Sequence, residues 1–521
     1  MQREALQSGI GPQIVPLLWG GKPERPAEND LKNFLDKEFD DMEGKKLAGL
    51  EPASVFGYFE EICAIPHGSR NNKQISDYLV RFAQEHGLKY IQDALYNVIL
   101  FCEGTCGMEN HDPVILQGHM DMVCDKDTGV TLDLAVDGLD VTHDGSCVFA
   151  KGTTLGGDDG IAVAYSLALL ADRSIPHPPL EVILTVDEEI GLLGAHGIDI
   201  SMLKGRRLIN MDSEDEGVFT VSCAGGSNAL ISLPVERRPV YGPCVRLSVS
   251  GLQGGHSGAE IHKNRANANK VMGEFMSRVQ KLMPLCLTSL SGGSKDNAIP
   301  HTCQATLVAM GVHLERINTV AEELQAEIRE QYDEPEASIQ AFDVDALGGN
   351  SLSTESTAKV IGLLCAAPVG VQAWSKDIDG LVQTSLNMGI IKLGERFNIT
   401  FSVRSSVNAE KHEVLDQIKT LAGFYGASYN QNSEYPAWEY KKDSDLRDTM
   451  VRVYREMFDK EPEVVAIHAG LECGLFSEKL PGLDCVSIGP QMHDIHTSRE
   501  KLEIASTERT WKFLLEVLKA L

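Results

Sequence analysis

The chain is poor in positive charge. Its 47 Lys and Arg stand against 75 Asp and Glu, a formal net charge of −28. Phosphate backbones and anionic lipid repel such a molecule, which excludes nucleic acid and the membrane surface as partners. Long apolar runs are missing too. The longest, residues 160–171, is shorter than the roughly 20 residues that cross a bilayer and contains Tyr165 and Ser166, so it reads as a buried helix. The 12 cysteines form no CxxC pair, and a chain of 521 residues has no need of disulfide staples, which fits a reducing compartment. Cys102 and Cys106, a near pair, read as ordinary buried or half-buried thiols. The apolar segment 14–19 lies between prolines without a basic start or a small-residue cleavage site, so no secretory signal is expected and the cytoplasm is the expected location.

What is present looks globular: 43% hydrophobic and 23% charged residues, in a chain longer than one core usually serves. Residues 1–48 mix Gly, Pro and charge without periodicity and read as a loosely attached extension, with Met42 an alternative start. From Pro52 helical spacing sets in, and a catalytic domain is expected over 49–227 and again over 436–521. Within it the runs 113–119, 181–189 and 207–212 are apolar almost without alternation, as strands buried on both faces are. Each ends in His, Asp or Glu. Ligands in open α/β sheets sit beyond the carboxyl ends of strands, so these groups should meet at one cleft. Between the two parts, 228–435 alternates strands and amphipathic helices and shows one order twice, first over 245–342 and then over 356–428. An inserted α+β domain built from two similar halves is expected. The last helix should bury Trp511, Leu514, Leu515 and Leu518 on one face, with Ser506 as its cap and Glu508 in its first turn.

Several short motifs carry chemistry. His119-Met120-Asp121 closes a strand, where residues two apart share a side, so Asp121 can hold the second imidazole nitrogen of a metal-ligating His119. Gly156-Gly157-Asp158-Asp159-Gly160 joins a small-residue loop to a helix; alone it is a DG turn, but its Asp can also bridge two cations. Asp187-Glu188-Glu189 puts carboxylates at a sheet end with no adjacent cation. Neighbouring Glu188 and Glu189 are expected to point apart, one ligating and the other taking a proton. Asp212 ends the next run, while 213–216 reads as exposed charge. His493 and His496 are both imidazole candidates near the far end.

In the order HxD, GGDDG, DEE, D, H, these signals resemble the M20 family of di-zinc peptidases, and within it the Xaa-His dipeptidase branch. The likeness is carried by ILQGHMDMV, GTTLGGDDGIAVA, TVDEEIGLLGA, INMDSEDEG, GLQGGHSGAEIHKNRANA, KDNAIPH, SVRSS and DIHTSRE, from about Leu50 to the end. It implies an α/β fold: a zinc-peptidase-like catalytic domain with a mixed, largely parallel sheet covered by helices, and an inserted lid. It implies that His119, Asp158 and Asp212 hold one zinc and that Asp158, Glu189 and His496 hold the other, with Co2+ or Mn2+ as substitutes. Asp121 would orient His119, and Glu188 would be the general base for a bridging hydroxide. In the lid, His256 resembles the residue that supports the oxyanion, and Asn297 and Arg404 the groups that bind the substrate backbone and its terminal carboxylate; Gly470, in the second catalytic part, resembles a backbone contact on the other side of the cleft.

The implied activity is hydrolysis of small dipeptides, Xaa-His preferred. An aminoacylase, desuccinylase or tripeptidase using the same metals, a non-catalytic metal-binding member, and an acidic scaffold are the alternatives. Two assemblies stay open, a homodimer joined through the lid and a single chain whose second lid half closes its own cleft.

Overall fold

The computed structural model describes residues 45–309, 314–345 and 348–521. Of the expected extension, 1–44, including Met42, lies outside them. Leu47 is already in the core, and Glu60 accepts the N–H groups of Lys46 and Leu47.

One sheet of eight strands runs Lys89–Gln92, Val98–Cys102, Leu180–Thr185, Val114–His119, Arg207–Asn210, Asp484–Ser487, Val218–Cys223, Glu463–Ile467 across its width. Val114–His119 is parallel to both neighbours, and Arg207–Asn210 is parallel to Asp484–Ser487, whereas the edge pair 89–92 and 98–102 is antiparallel. The strands are covered on both faces. Leu116, Val182 and Leu184 enter one core with helices Ala53–Cys63, Gly157–Ala171 and Ile504–Ala520, while Ile115, Ile183 and Leu208 enter a second with helix Glu472–Lys479. Burial on both sides is why these strands read as unbroken apolar runs. Helix Gly157–Ala171 is buried all round through Leu170, and no helix of the described residues is long and apolar enough to cross a membrane. Trp511 stacks on Tyr165 at 5.8 Å. Ser506 is not a cap: the last helix begins at Ile504, and the Ser506 hydroxyl, inside it, accepts the N–H of Gln491. Cys102 is buried, but Cys106 is exposed.

The insert forms a nine-stranded sheet whose main path is Ser338–Val344, Cys244–Ser250, Cys303–Ala309, Leu285–Gly292, Val382–Leu393, Arg396–Ser405, Gly225–Pro234, Ser428–Tyr435. Each half of that path has the order fourth, first, third, second of a β-α-β-β-α-β unit. The halves join where Ser291 and Gly292 pair with Lys392 and Ile391. They are nested, not tandem. The first strand of the second half is Gly225–Pro234, which pairs along its length with Arg396–Ser405 and precedes the whole first half. The boundary expected at 228 therefore falls inside a strand. Leu285–Gly292, not anticipated, carries a bulge between Leu287 and Ser289, which shifts its inward positions and breaks the alternation that would have marked it.

Candidate active site

Three adjacent parallel strands end together. Val114–His119 delivers His119 as its last residue, Leu180–Thr185 runs into a turn carrying Asp187, Glu188 and Glu189, and Arg207–Asn210 delivers Asp212 two residues on. Asp158 arrives from the start of Gly157–Ala171, where the backbone at Asp158 and Asp159 is not helical. Gly118 permits this approach, since a Cβ there would stand 2.6 Å from Asp159 Oδ2. His496 comes from a turn near the far end, at φ 60°.

The five groups meet. His119 Nε2 lies 3.1 Å from Asp158 Oδ1 and 3.5 Å from Asp212 Oδ1, and His496 Nε2 lies 3.0 Å from Asp158 Oδ2 and 2.9 Å from Glu189 Oε1. Asp158 thus presents one oxygen to each imidazole. Ligand atoms of His119, Asp158 and Asp212 lie within 4.8 Å of one another, as do those of Asp158, Glu189 and His496. His493 stays outside, exposed and paired with Glu503.

Two expected details differ. The strand stops at His119, so same-side alternation does not extend to Asp121. The Asp121 carboxylate is 3.7 Å from His119 Nδ1, and Nδ1 instead donates to the Asp121 carbonyl at 2.9 Å, which fixes the tautomer and leaves Nε2 free as a ligand. The carboxylate accepts from Ser69 Oγ at 2.9 Å and from the N–H of Glu188 at 3.0 Å, so it orients the turn bearing Glu188. Likewise Glu188 and Glu189 do not point apart. Strand geometry ends at Thr185, Asp187 sits at φ 53°, and both carboxylates come within 4.8 Å of His119.

Electrostatics show what the cluster lacks. Burial raises Asp212 to about 6. Burial and the charges of Asp212, Glu472 and Glu189 push Glu188 well above the carboxylate range, against the pull of His119. Burial would lower His119, but hydrogen bonds with Asp158 and Asp212 outweigh it and hold the imidazole well above its usual value. Hydrogen bonds with Asp158 and Glu189 push His496 up to about 10. The acids therefore draw protons onto the imidazoles, since among the described residues no Lys or Arg pairs with these carboxylates. Carboxylate oxygens and imidazole nitrogens this close suit divalent ions such as zinc, cobalt or manganese. The residues fit a dinuclear centre.

Supporting residues that sequence reasoning missed surround it. Buried Glu500 accepts the N–H groups of Leu155 at 2.8 Å and Gly157 at 2.7 Å, holding the loop ahead of Asp158. Asp159 accepts the His119 N–H at 3.1 Å, and Asp187 accepts from Arg70 N and Asn72 Nδ2.

His256, Asn297 and Arg404 of the insert, with Gly470 from beyond it, form a second group. His256 pairs with Ala298, beside Asn297, whose carbonyl accepts the Ser257 N–H at 2.9 Å. His256 Nδ1 accepts from the N–H groups of Gly258 and Ala259, at 3.2 and 3.0 Å, leaving the ring proton on Nε2. Burial and the nearby Arg404 lower its pKa. Arg404 Nη1 donates to Tyr435 at 3.1 Å, and its buried Nε has no partner among the described residues. Gly470 faces the same tyrosine, and a Cβ there would stand 2.7 Å from the ring. Among the described residues no hydrogen bond or ion pair links these four to the five metal-type ligands.

Residues 115–520 match the model of peptidase family M20/M25/M40. The cytosol non-specific dipeptidase of Escherichia coli (strain K12) is 36% identical over 479 residues, 91% of this chain and 99% of that protein. The crystal structure of an aminoacylhistidine dipeptidase from Vibrio alginolyticus superposes with a TM-score of 0.86 at 34% identity, covering 92% of this chain and 99% of the other. An aminopeptidase from Bacillus cereus, 14% identical, shares the fold at a TM-score of 0.52, over 90% of this chain and 99% of its own.

Proposed function

The chain belongs to peptidase family M20/M25/M40, and from that premise we propose a dinuclear metallo-dipeptidase that prefers Xaa-His substrates. His119, Asp158 and Asp212 would hold one zinc ion, and Asp158, Glu189 and His496 the second. The observation that carries the reading is Asp158, whose two oxygens face two different imidazoles at 3.1 and 3.0 Å, the arrangement of a bridging carboxylate. When bound, such cations would supply Lewis acidity, acidifying an attacking water and polarising the scissile carbonyl.

The chain's own groups do the rest. Glu188 takes the proton of the attacking water on its carboxylate and passes it to the departing amine. The Asp121 carboxylate holds Glu188 in place through its main-chain N–H. His256, neutral with its proton on Nε2, donates to the carbonyl oxygen as negative charge builds there. The unpaired Arg404 Nε and its guanidinium neighbours receive the substrate carboxylate, a planar acceptor that matches a planar donor. Asn297 and the bare backbone at Gly470 line the peptide. A fixed reach from cations to guanidinium makes a dipeptide ruler.

His256 belongs to the first half of the insert and Arg404 to the second, and they act on one another within one chain. This supports a single chain that closes its own cleft, and we place it in the cytoplasm, in keeping with the name of the E. coli relative. Purified protein is expected to cleave an Xaa-His dipeptide faster than ordinary dipeptides. Equal or faster turnover of a tripeptide or an N-acyl amino acid would overturn the dipeptidase reading. Mixing His256→Ala and Glu188→Ala chains should give no activity; recovery would mean that His256 works across a homodimer.

A further inference from the structure

Beneath the ligands lies a buried, hydrogen-bonded polar layer. Glu472, the first residue of helix Glu472–Lys479, is 0% exposed. Its Oε2 accepts from Gln117 Nε2 at 2.5 Å and from Thr185 Oγ1 at 2.6 Å. Gln117 Oε1 in turn accepts from Asn210 Nδ2 at 2.5 Å. Gln117, Thr185 and Asn210 are also fully buried, and they lie on the three adjacent strands Val114–His119, Leu180–Thr185 and Arg207–Asn210. Each stands just before a ligand. His119 follows Gln117 by two residues, Glu188 and Glu189 follow Thr185 by three and four, and Asp212 follows Asn210 by two.

Placement at the strand ends matters because the main-chain registers run out here. The last pair between the first two strands is His119 with Thr185, and between the first and third it is Gln117 with Asn210. Past those pairs one main-chain bond follows on each side, Met120 N–H to the Thr185 carbonyl at 2.8 Å and Met211 N–H to the Gln117 carbonyl at 3.0 Å. Burying a carboxylate and two amides costs free energy that apolar side chains would not; the connected bonds recover part of it and impose one geometry, while Glu472 Oε1 and Asn210 Oδ1 find no partner among the described residues.

Resting on the dinuclear reading above, we propose that Glu472 is a positioning residue for the metal centre: it clamps the ends of the three strands so that the ligands of both ions keep their spacing. Its loop also reaches the insert, since His468 Nε2 pairs with Ser385 Oγ at 2.7 Å, beside Arg404 in register. The clamp therefore sits between the cation side and the carboxylate side of the cleft.

Cobalt(II) provides the test, because its visible absorption reports ligand geometry without turnover. Wild-type protein is expected to bind two cobalt ions per chain; fewer than two would overturn the dinuclear reading and this proposal with it, before any variant is made. Glu472→Ala is expected to change the cobalt spectrum, to weaken metal binding roughly 10- to 100-fold in chelator competition, and to lower kcat at saturating metal with KM unchanged. Glu472→Gln, whose amide oxygen can still accept both hydrogen bonds, should stay within about threefold of wild type. Should Glu472→Ala fail to fold, Thr185→Val removes one bond at nearly constant shape and is expected to shift the spectrum in the same direction. A wild-type spectrum and metal affinity in Glu472→Ala or Thr185→Val would overturn the clamp. So would a Glu472→Gln protein as impaired as Glu472→Ala, since the effect would then follow charge and not geometry.

Discussion

The strand-end cluster and the insert cluster are opposite in character. In the first, acids crowd two imidazoles until His496 is pushed up to about 10. In the second, imidazoles are kept neutral: burial and Arg404 lower His256, and the same two causes bring His468 down to about 3. One cluster is short of positive charge and the other, with a guanidinium nitrogen buried and unpaired, is short of negative charge. A molecule with a polarisable carbonyl at one end and a free carboxylate at the other satisfies both. Under the proposed dipeptidase reading, these two complementary deficits would set the substrate length.

The largest effect should come from the strand-end cluster. Glu188→Ala leaves all five proposed ligands in place, so it should retain two metals per chain while turnover falls on the order of 10⁴-fold; metal analysis beside a dipeptide assay checks both halves, and preserved turnover would remove Glu188 from its role. Next, Arg404→Met should lower kcat/KM for dipeptides by about 10²-fold, the loss of charge-assisted hydrogen bonds, and leave C-terminally amidated dipeptides nearly untouched. Equal losses on both substrates would mean that Arg404 does not read the carboxylate.

The smallest effect separates the clusters by the sign of their pH dependence. His496 and His119 have folded-state values raised above the unfolded 6.5, so in metal-stripped protein their stabilisation is full below about 6.5 and is lost as pH rises toward about 10. His468 and His256 are lowered, so theirs is full above about 6.5 and is lost on acidification toward about 3. Thermal unfolding of metal-stripped protein is expected to be most stable between these limbs, and Arg404→Met should soften only the acid limb. Metal-loaded protein should lack the alkaline loss, because binding displaces the imidazole protons.

The two regions also differed in how far they could be read beforehand. Four ligands were legible because His119, Glu189 and Asp212 close apolar runs and Asp158 opens a buried helix, where a carboxylate or imidazole is conspicuous; His496, in a turn, was preferred to His493 only through the family resemblance. Their supports were not. Glu500 acts on the N–H groups of residues 155–157, and Glu472 on Gln117 and Thr185, more than 280 positions away, through contacts that leave no local pattern. The turn at Asp187 and the end of the strand at His119 are the places where alternation was carried one step too far. In the insert, helices and most strands followed their periodicity, but nesting did not show, because the partner of Arg396–Ser405 lies on the far side of the entire first half.

Crystals grown with zinc and measured with anomalous scattering at its absorption edge address the centre itself. Two peaks flanking Asp158 are predicted, one shared with His119 and Asp212 and the other with Glu189 and His496. A single peak, or two that Asp158 does not bridge, would contradict the account.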